Sequence, residues 1–385
     1  MGWVMDDAVK KEALIISYFG WYERRIAPIR ELLLPKYHVT VLLSDYDHLK
    51  KAYRTERESA CVYLHVPPYR KNISVRRILS HLFFGLSVSR EIDRLQPDLI
   101  YLLMPPNNTA AFCLRYRKRH PECLYYVDLI DMWPESLLSR RFKNSPPARL
   151  WSKMRDESVG AADHVFTECD FYRDALASVI GDPERATTLH LFLNQTDEEY
   201  AIVLRQVEES QRAEKRLRLA YLGSINHIID IEGICNVTTA LIQRGYTVEV
   251  RIIGDGENRE LLLERLRESG AEVRYFGKIF DQKEKIKLLG SCDYGFNMMK
   301  QEVSVGLTIK SLDYLSMGIP LINNIPGDTW NFVKRDGIGV NVDASAECVV
   351  EKLERPIDRN AVLKFFRRTF SRDGFQQKAA EHMTT

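Results

Sequence analysis

Residues 305–320, with the sequence VGLTIKSLDYLSMGIP, combine the residue types that bind a diphosphate. Gly306 precedes a predicted helix whose first turn contains Thr308 and Lys310. The N–H groups at the positive end of a helix bind anions, and a hydroxyl and an ammonium strengthen such a site. Asp313 follows Lys310 by three residues on about the same face, where its carboxylate could accept hydrogen bonds from ribose hydroxyls. The segment predicts a nucleoside-diphosphate site; the alternative is an amphipathic core helix in which Lys310 and Asp313 form a solvated pair.

Two further turns have residue types that suit a phosphate. In open α/β sheets, ligands bind beyond the carboxyl ends of the strands. YLGS at 221–224 ends a predicted strand, and its Ser224 offers a hydroxyl. GDG at 254–256, which begins with Gly254, follows the next strand. Each turn taken alone is also typical of a loop that binds nothing.

The elements that must position these residues alternate between strand and helix, which predicts parallel sheets covered by helices. Strands are predicted at residues 13–19, 37–43, 98–104, 124–129 and 164–167. After a charged stretch at 197–216, strands are predicted at 217–222, 248–253, 273–276, 293–298 and 320–323. We therefore predict two doubly wound α/β domains, residues 1–196 and 197–357, and a C-terminal helix, residues 358–385, that returns to the first domain.

The chain resembles glycosyltransferase family 4 of the GT-B fold over nearly its whole length. In the second half the resemblance lies in YLGS at 221–224, GDG at 254–256, FGK at 276–278, SCDYGF at 291–296 and LDYLSMGIPLI at 312–322. In the first half, YFGWYERR at 18–25, SDYDH at 44–48 and DLIDMWPES at 128–136 are similar to bacterial polysaccharide-assembly members. The resemblance implies two Rossmann-like domains with an interdomain cleft, the first binding the acceptor and the second a nucleotide-sugar donor.

The resemblance also implies donor-binding roles by position. Asp313 would bind the donor ribose, and Lys310 would add positive charge at the phosphates. The remaining implied contacts are backbone groups of Gly306, Leu307 and Thr308 at the phosphates, Ser224 where many relatives have an arginine, Lys278 and Ile279 near the nucleobase, and Gly20 and Trp21 facing the diphosphate. The chain departs from the family at Val305, which replaces its first glutamate. Because of this departure, a partner subunit without catalytic activity remains an alternative function for the protein.

Release of a nucleoside diphosphate from a sugar leaves negative charge on the departing phosphate, which a preorganised positive group must stabilise. The helix start at Gly306, with Lys310, can do this without a metal, so no metal or other cofactor is expected. Asp45-Tyr46-Asp47 has the spacing of a metal-binding triplet, but it follows a strand of the presumed acceptor domain.

The acceptor hydroxyl needs a base. The candidates are Asp128, Asp131 and Glu135 in DLIDMWPES. Asp131 is preferred because it ends a strand and precedes a turn, although each of the three could instead cap a helix or form a structural salt bridge. Retention of the anomeric configuration is implied by the family alone.

Composition excludes several classes of protein. The chain has 385 residues, 45% of them hydrophobic, which suits two or three domains with ordinary cores. A net charge of +2 argues against a dedicated nucleic-acid binder. Seven cysteines without a Cys-x-x-Cys pair argue against a zinc cluster or a disulfide framework. Because a signal-peptide core and a spanning apolar run are also missing from the sequence, we expect a cytoplasmic protein.

Residues 70–90 form a basic and amphipathic segment. They include five Lys or Arg and no acidic residue, and Leu79, Leu82, Phe83 and Leu86 recur at helical spacing. This pattern is typical of a helix that lies on an anionic membrane surface, and it would suit an enzyme with a lipid-linked acceptor at the inner face of the plasma membrane. The alternative is an ordinary domain helix with a solvated basic face.

Together these features predict a metal-independent hexosyltransferase. It would move a sugar from a nucleoside-diphosphate sugar, most simply a UDP-sugar, to a saccharide or lipid-linked acceptor in cell-surface polysaccharide assembly. The alternatives are a non-catalytic GT-B-like partner subunit, a sugar-nucleotide epimerase, and a regulatory module that senses nucleotides.

Overall fold

The computed structural model describes residues 10–20, 22–72, 74–136, 145–209, 214–301, 303, 305–342 and 346–383. They form two units, the first comprising Met1–Leu191 with Phe375–Thr385 and the second Phe192–Gly374. Each unit is built on one parallel sheet with helices in the crossovers, which confirms the predicted pair of doubly wound α/β units. Within the described ranges, none of the helices has both the length and the apolar character needed to span a bilayer.

The elements of the first unit follow the predicted alternation. Its strands are β1 (Lys11–Ser17), β2 (Tyr37–Ser44), β3 (Tyr46–Asp47), β4 (Ala52–Tyr53), β5 (Cys61–Leu64), β6 (Leu99–Met104), β7 (Leu124–Leu129), β8 (His164–Thr167) and β9 (Ala186–Thr188). Its helices, up to residue 191, are α1 (Ala27–Leu33), α2 (Val75–Leu95), α3 (Asn107–Arg119), α4 (Pro146–Ala161), α5 (Asp170–Ala175) and α6 (Ala177–Ile180). A π-helical turn, Tyr22–Ile26, leads into α1, and a 3-10 turn, Pro183–Arg185, precedes β9.

The seven-stranded sheet of this unit has the order β5-β2-β1-β6-β7-β8-β9, and every neighbouring pair is parallel. In β1, Ile15 lies opposite Val41 of β2 and Tyr101 of β6. The sequence LIYLLM of β6 is buried at every position, as expected for a strand covered on both faces. The strand order changes direction between β1 and β6, so the loops that follow these strands flank the topological switch point, where α/β proteins bind ligands.

The second unit repeats this plan. Its strands are β10 (Arg216–Leu222), β11 (Thr247–Ile253), β12 (Glu272–Tyr275), β13 (Tyr294–Asn297), β14 (Leu321–Asn323) and β15 (Gly339–Asn341). Its helices are α7 (Asp197–Glu209), α8 (Ile231–Gln243), α9 (Arg259–Glu268), α10 (Gln282–Leu289), α11 (Ile309–Ser316), α12 (Asp328–Asp336), α13 (Ala346–Leu353) and α14 (Arg359–Phe370). The parallel sheet has the order β12-β11-β10-β13-β14-β15, which puts the switch point between β10 and β13.

The C-terminal stretch is two helices, where the sequence predicted a single one at 358–385 returning to the first domain. The first, α14, belongs to the second unit, because Arg359 donates to the backbone oxygens of Met317 and Gly318. The second, α15 (Arg372–Met383), joins the first unit from Phe375 onward. There Gln376 donates to Glu31 at 2.8 Å.

Candidate active site

The start of α11 is held by a buried network of polar side chains. Three asparagines end neighbouring strands, and Asn297 donates to Asn323, which in turn donates to Asn341. Asn297 also accepts a 2.7 Å hydrogen bond from the Thr308 hydroxyl. Thr308 caps α11, because its Oγ1 accepts from the N–H of Ser311. The network therefore fixes the position of the helix start relative to the carboxyl ends of three strands.

Lys310 lies in the first turn of this helix and is partly buried. Its Nζ is 5.4 Å from the centroid of the Tyr221 ring, at the end of β10. Burial lowers the pKa of the ammonium to about 8. Lys310 forms no ion pair with a carboxylate of the described residues, so its charge is available to an anionic ligand.

Asp313 pairs with a lysine other than Lys310. Asp313 is 6% exposed, and its carboxylate lies 3.7 Å from Nζ of Lys285, on α10. The solvated pair of Lys310 and Asp313 that was an alternative from the sequence is therefore not formed. The carboxylate expected to bind a ribose is instead held by a cation from a neighbouring helix.

The other donor residues predicted in the second unit lie in the loops after β10, β11 and β12. Ser224 is exposed, and its backbone oxygen accepts from the Tyr221 hydroxyl. Lys278 is exposed and lies 3.4 Å from Asp255, and Ile279 is partly buried. Gly254 has a φ of +147°, and a Cβ there would collide with the backbone of Gly223. The glycine is thus required by close packing of two loops, which explains the GDG turn without a ligand.

Gly306, Leu307 and Thr308 adjoin the start of α11 as predicted from the sequence. Gly306 is buried, and its backbone oxygen accepts from the N–H and the hydroxyl of Thr329 on α12. Leu307 is partly buried. These contacts orient the segment that leads into the helix.

The predicted donor residues of the first unit follow β1. Gly20 has a φ of +68°, and a side chain there would collide with the guanidinium of Arg54. Arg54 in turn donates to the backbone oxygens of Phe19 and Ser44. Trp21 lies outside the described residues.

Asp128 has a structural role in place of the catalytic role that was considered from the sequence. It is 0% exposed, and both carboxylate oxygens accept 2.5 Å hydrogen bonds from the buried Arg25. The Tyr101 hydroxyl donates to the same carboxylate at 2.6 Å. A carboxylate that is fully buried and bound to a guanidinium has no access to an acceptor hydroxyl, so Asp128 is not a base candidate.

Asp131 lies at the sheet edge that follows β7 and is accessible. It lines a cavity of about 130 Å³, and it accepts hydrogen bonds from the Trp133 indole at 2.8 Å and from the Ser136 hydroxyl at 2.5 Å. Burial raises the pKa of its carboxyl group above the usual value, although these hydrogen bonds and Arg77 act in the opposite direction. A carboxylate with a raised pKa in a cavity is well suited to accept a proton.

Glu135 forms an ion pair instead of standing free as a base. Arg155 on α4 donates to its carboxylate at 2.6 Å, and the Ser152 hydroxyl donates at 3.2 Å. The guanidinium of Arg155 also binds the backbone oxygen of Trp133. Glu135 therefore orients the arginine that holds the loop carrying Asp131.

The Asp45-Tyr46-Asp47 triplet is occupied by local contacts. Asp45 accepts from His65 at 2.7 Å and from the N–H of Val66. Asp47 accepts from the N–H groups of Leu49 and Lys50. Both carboxylates thus stabilise the loop after β2.

The residues that position the sites were not predicted from the sequence. The asparagine network was signalled by an asparagine at the end of each of β13, β14 and β15, a coincidence that becomes visible only when the strands are adjacent. Arg25, which holds Asp128, lies in the YERR segment and carries no local signal for burial.

Comparison with known proteins extends the fold assignment. No protein-family model matches the chain, and no curated protein matches its sequence. The structure is similar to the lipopolysaccharide outer core galactosyltransferase WaaB in its apo form, with a TM-score of 0.65, 13% identity, and coverage of 97% of this chain and 99% of that chain. Sucrose-phosphate synthase from Thermosynechococcus elongatus gives a TM-score of 0.64, 12% identity, and coverage of 97% and 98%.

Anabaena HepE in complex with UDP and glucose gives a TM-score of 0.57, 12% identity, and coverage of 97% of this chain and 99% of that chain. At these identities the likeness establishes the fold. Because the similarity extends over almost the full length of each protein, the chain as a whole has the GT-B fold.

Proposed function

We propose that the protein is a glycosyltransferase that transfers a hexose from a nucleoside-diphosphate sugar to a saccharide or lipid-linked acceptor. Support comes from the GT-B fold, which it shares with the galactosyltransferase WaaB and with HepE in complex with UDP and glucose. The observation that carries the proposal is Lys310, a partly buried ammonium without a carboxylate partner among the described residues, in the first turn of a helix at the carboxyl edge of the sheet. A UDP-sugar is the donor we propose.

The start of α11 is suited to stabilise the leaving diphosphate. The first N–H groups of a helix have no intrahelical partner and point toward an anion bound there. Lys310 adds a full positive charge, and the cap by Thr308 fixes the geometry in advance. Donors that are preorganised where charge develops lower the barrier to bond cleavage. We therefore propose that transfer needs no metal ion, and that Gly306, Leu307 and Thr308 contact the phosphates.

Asp131 is the base we propose for the acceptor hydroxyl. It differs from Asp128 and Glu135 in that its contacts are with an indole N–H and a hydroxyl, and none of the arginines in the described ranges forms an ion pair with it. Each carboxylate oxygen has two lone pairs, so a hydrogen bond from an acceptor can be added. Retention of the anomeric configuration is proposed from the resemblance to family 4.

The outer face of α2 supports a role at a membrane, and hence in cell-surface polysaccharide assembly. Six large apolar side chains on this helix are 40% to 72% exposed, namely Val75, Ile78, Leu79, Leu82, Phe83 and Leu86. The exposed cations Arg70, Lys71, Arg76 and Arg90 flank them, and residues 59–90 contain no acidic side chain. An apolar face with a basic margin complements anionic lipid. We propose that this face docks on an anionic membrane surface.

A thermal-shift panel of nucleoside diphosphates and sugar nucleotides, with and without EDTA, tests the donor site. We expect selective stabilisation by one nucleotide that survives chelation. Lys310→Ala should remove most of that stabilisation, whereas Lys287→Ala, an exposed lysine on α10, should not. An unchanged shift in Lys310→Ala would place the phosphates elsewhere.

Turnover assays then separate the proposed transferase from the other functions considered. Nucleotide binding without turnover of any donor would indicate a non-catalytic subunit or a module that senses nucleotides; the replacement of a family glutamate by Val305 supports the first. Interconversion of the donor sugar would indicate an epimerase.

Cosedimentation with vesicles tests the membrane surface. Wild-type protein should bind vesicles that contain an anionic lipid and should not bind neutral ones. Leu82→Ser with Phe83→Ser should lose this binding, while Leu261→Ser, which removes an equally exposed leucine from the second unit, should retain it. Equal binding by all three proteins would refute the docking surface.

A further inference from the structure

The cavity that contains Asp131 lies at the carboxyl edge of the first unit's sheet. Its lining comes from the segments that follow five strands: Phe19 after β1, Pro105 after β6, Ile130, Asp131 and Trp133 after β7, Glu168 after β8, and Leu191 after β9. Arg25, His48 and Arg77 complete it. At about 130 Å³, the cavity is much larger than a single water requires. It can therefore accept part of a substrate.

Arg77 is a cation in this cavity that no carboxylate neutralises by an ion pair among the described residues. It lies in the first turn of α2 and is 6% exposed. Its guanidinium donates from Nη1 to the backbone oxygen of Asn72 and interacts with the Tyr69 hydroxyl, and its Nε has no described partner. Burial lowers its pKa below the usual value. Burying a charge without an ionic partner costs stability, so an arginine in this state is suited to an anion supplied by a ligand.

The contrast with Arg25 supports this interpretation. Arg25 lines the same cavity, but Asp128 binds its guanidinium with two hydrogen bonds of 2.5 Å. The remaining nitrogen, Nη1, donates to the backbone oxygen of Leu189. Arg25 is thus fully used by the fold, whereas Arg77 keeps donors for a ligand.

The charges around Arg77 also favour an anion. His48 lines the cavity, and burial together with Arg77 and Lys51 lowers its pKa to about 4, so the imidazole is neutral near pH 7. Two carboxylates line the cavity, Asp131 and Glu168. Glu168 acts electrostatically on Arg25, whereas Asp131 acts on Arg77 and accepts its hydrogen bonds from Trp133 and Ser136. The end of the cavity at Arg77 is therefore positive, while the end at Asp131 can accept a proton.

The cavity walls at Arg77 are aromatic. The guanidinium carbon lies 4.4 Å from the centroid of the Trp133 ring and 5.8 Å from that of Phe19. Stacking on His81, with a centroid distance of 5.8 Å, supports the Trp133 ring. Aromatic faces pack against the C–H groups of a sugar ring, and stacking on them fixes the orientation of the planar guanidinium.

We propose that this cavity binds the anionic group of a sugar substrate, with Arg77 binding a phosphate or a carboxylate. Binding of an anionic sugar here does not depend on the proposed function. Only the identification of that sugar as the acceptor rests on it. In that role the sugar places its anionic group at Arg77 and a hydroxyl at Asp131. The acceptor class is thereby narrowed to saccharides that carry a phosphate or a uronic-acid carboxylate.

Calorimetric titration of the donor-free protein tests the proposal. The probes are glucose, glucose 6-phosphate and glucuronate, which share a ring and differ in the charged group. We expect at least one charged sugar to bind about ten- to a hundredfold more tightly than glucose, the range for one charge-assisted hydrogen-bonded contact. A preference for glucose 6-phosphate identifies a phosphate site, and a preference for glucuronate a carboxylate site. Equal affinity for all three sugars would overturn the proposal.

Three variants assign the effect to Arg77. Arg77→Met should abolish the preference for the charged sugar. Arg77→Lys keeps the positive charge on a shorter side chain and should retain part of the preference. Arg94→Gln is the matched control, because it removes one exposed arginine from the same helix. It should bind as the wild type does. If Arg77→Met does not fold, the Arg77→Lys comparison decides, since an undiminished preference there would refute the role of Arg77.

This experiment uses no nucleotide, so it fails or succeeds independently of the donor site. Binding of a charged sugar through Arg77 in a protein that ignores every nucleoside diphosphate would leave the subsite standing and remove the proposed transferase activity. The reverse result would leave the transferase standing with a neutral acceptor.

Discussion

The pH dependence of nucleotide binding gives a direct test of Lys310. Burial lowers the pKa of this ammonium from 10.5 to about 8, so its charge titrates in a range where other lysines stay protonated. A diphosphate attracts the ammonium and not the neutral amine. Affinity should therefore be constant up to about pH 8 and fall above it.

The magnitude follows from the size of the pKa change. For a site that binds only in its protonated form, raising the pH from 7 to 9 through a pKa of about 8 weakens binding about tenfold. The same change in pKa corresponds to about 3 kcal/mol of unfavourable free energy for the charged form in the folded protein. That cost is fully present below about pH 8 and disappears as the pH rises toward 10.5, because the unfolded chain still binds the proton that the folded chain has released.

The assay is titration calorimetry with the best nucleoside diphosphate at several pH values between 7 and 9.5, a range in which the phosphates are largely ionised. Lys310→Arg should flatten the profile, since a guanidinium stays charged throughout. Lys310→Met should bind weakly at every pH, and without ligand it should be more stable than the wild type at pH 7 by up to about 3 kcal/mol. A wild-type profile as flat as that of Lys310→Arg would refute the reasoning.

Three further substitutions separate structural from functional carboxylates and amides. Asp128→Asn should lower the free energy of unfolding by about 3–5 kcal/mol in a urea titration, because it leaves the guanidinium of Arg25 buried and unpaired. Nucleotide affinity of this variant should not change. Asn297→Ala removes two buried hydrogen bonds, and at about 1–3 kcal/mol for each buried group left unpaired it should lower stability in the same titration. It should also weaken nucleotide binding in calorimetry, because Thr308 loses the contact that fixes the helix start. Asp131→Asn should reduce turnover by about 10²–10⁴-fold in a donor-consumption assay while the nucleotide affinity stays constant.

The fold was predictable because the hydrophobic pattern of a parallel sheet is local. The predicted strands at 124–129 and 164–167 coincide with β7 and β8, and those at 37–43 and 248–253 differ from β2 and β11 by one residue. The strands β5, β9 and β15, of three or four residues each, were missed because such short segments show no period. The equally short β14 was predicted because Gly318 and Pro320, which end a helix, precede it. The break between α14 and α15 was also missed, because the helical pattern continues on both sides of Ser371.

The site was predictable only where its residues are neighbours in sequence. Thr308 and Lys310 lie within one helical turn, so their spacing indicated the start of α11 directly. The three acids of DLIDMWPES could not be ranked this way, because the arginine that occupies Asp128 lies 103 residues away. The asparagine network likewise joins residues 26 and 18 positions apart. Contacts of this kind depend on strand order, which the pattern of one strand does not contain.

Lys310 and Arg77 share a property that distinguishes them from the structural cations of the fold. Each is at least partly buried at the carboxyl edge of its unit's sheet, and neither has an ion-pair partner among the described carboxylates. Arg25 is also buried, but Asp128 neutralises it. An unpaired buried charge is unfavourable. Removing it should therefore leave the ligand-free protein at least as stable as the wild type, while the affinity for the ligand falls.

Breaking the Arg25–Asp128 pair should do the opposite, lowering stability while ligand affinity is kept. Thermal denaturation compares the two classes in one experiment, with Lys310→Met measured with and without nucleotide, Arg77→Met with and without the charged sugar, and Arg25→Met with and without each. If all three substitutions lowered the stability of the ligand-free protein equally, Lys310 and Arg77 would be ordinary packing residues. That result would refute both proposed anion sites.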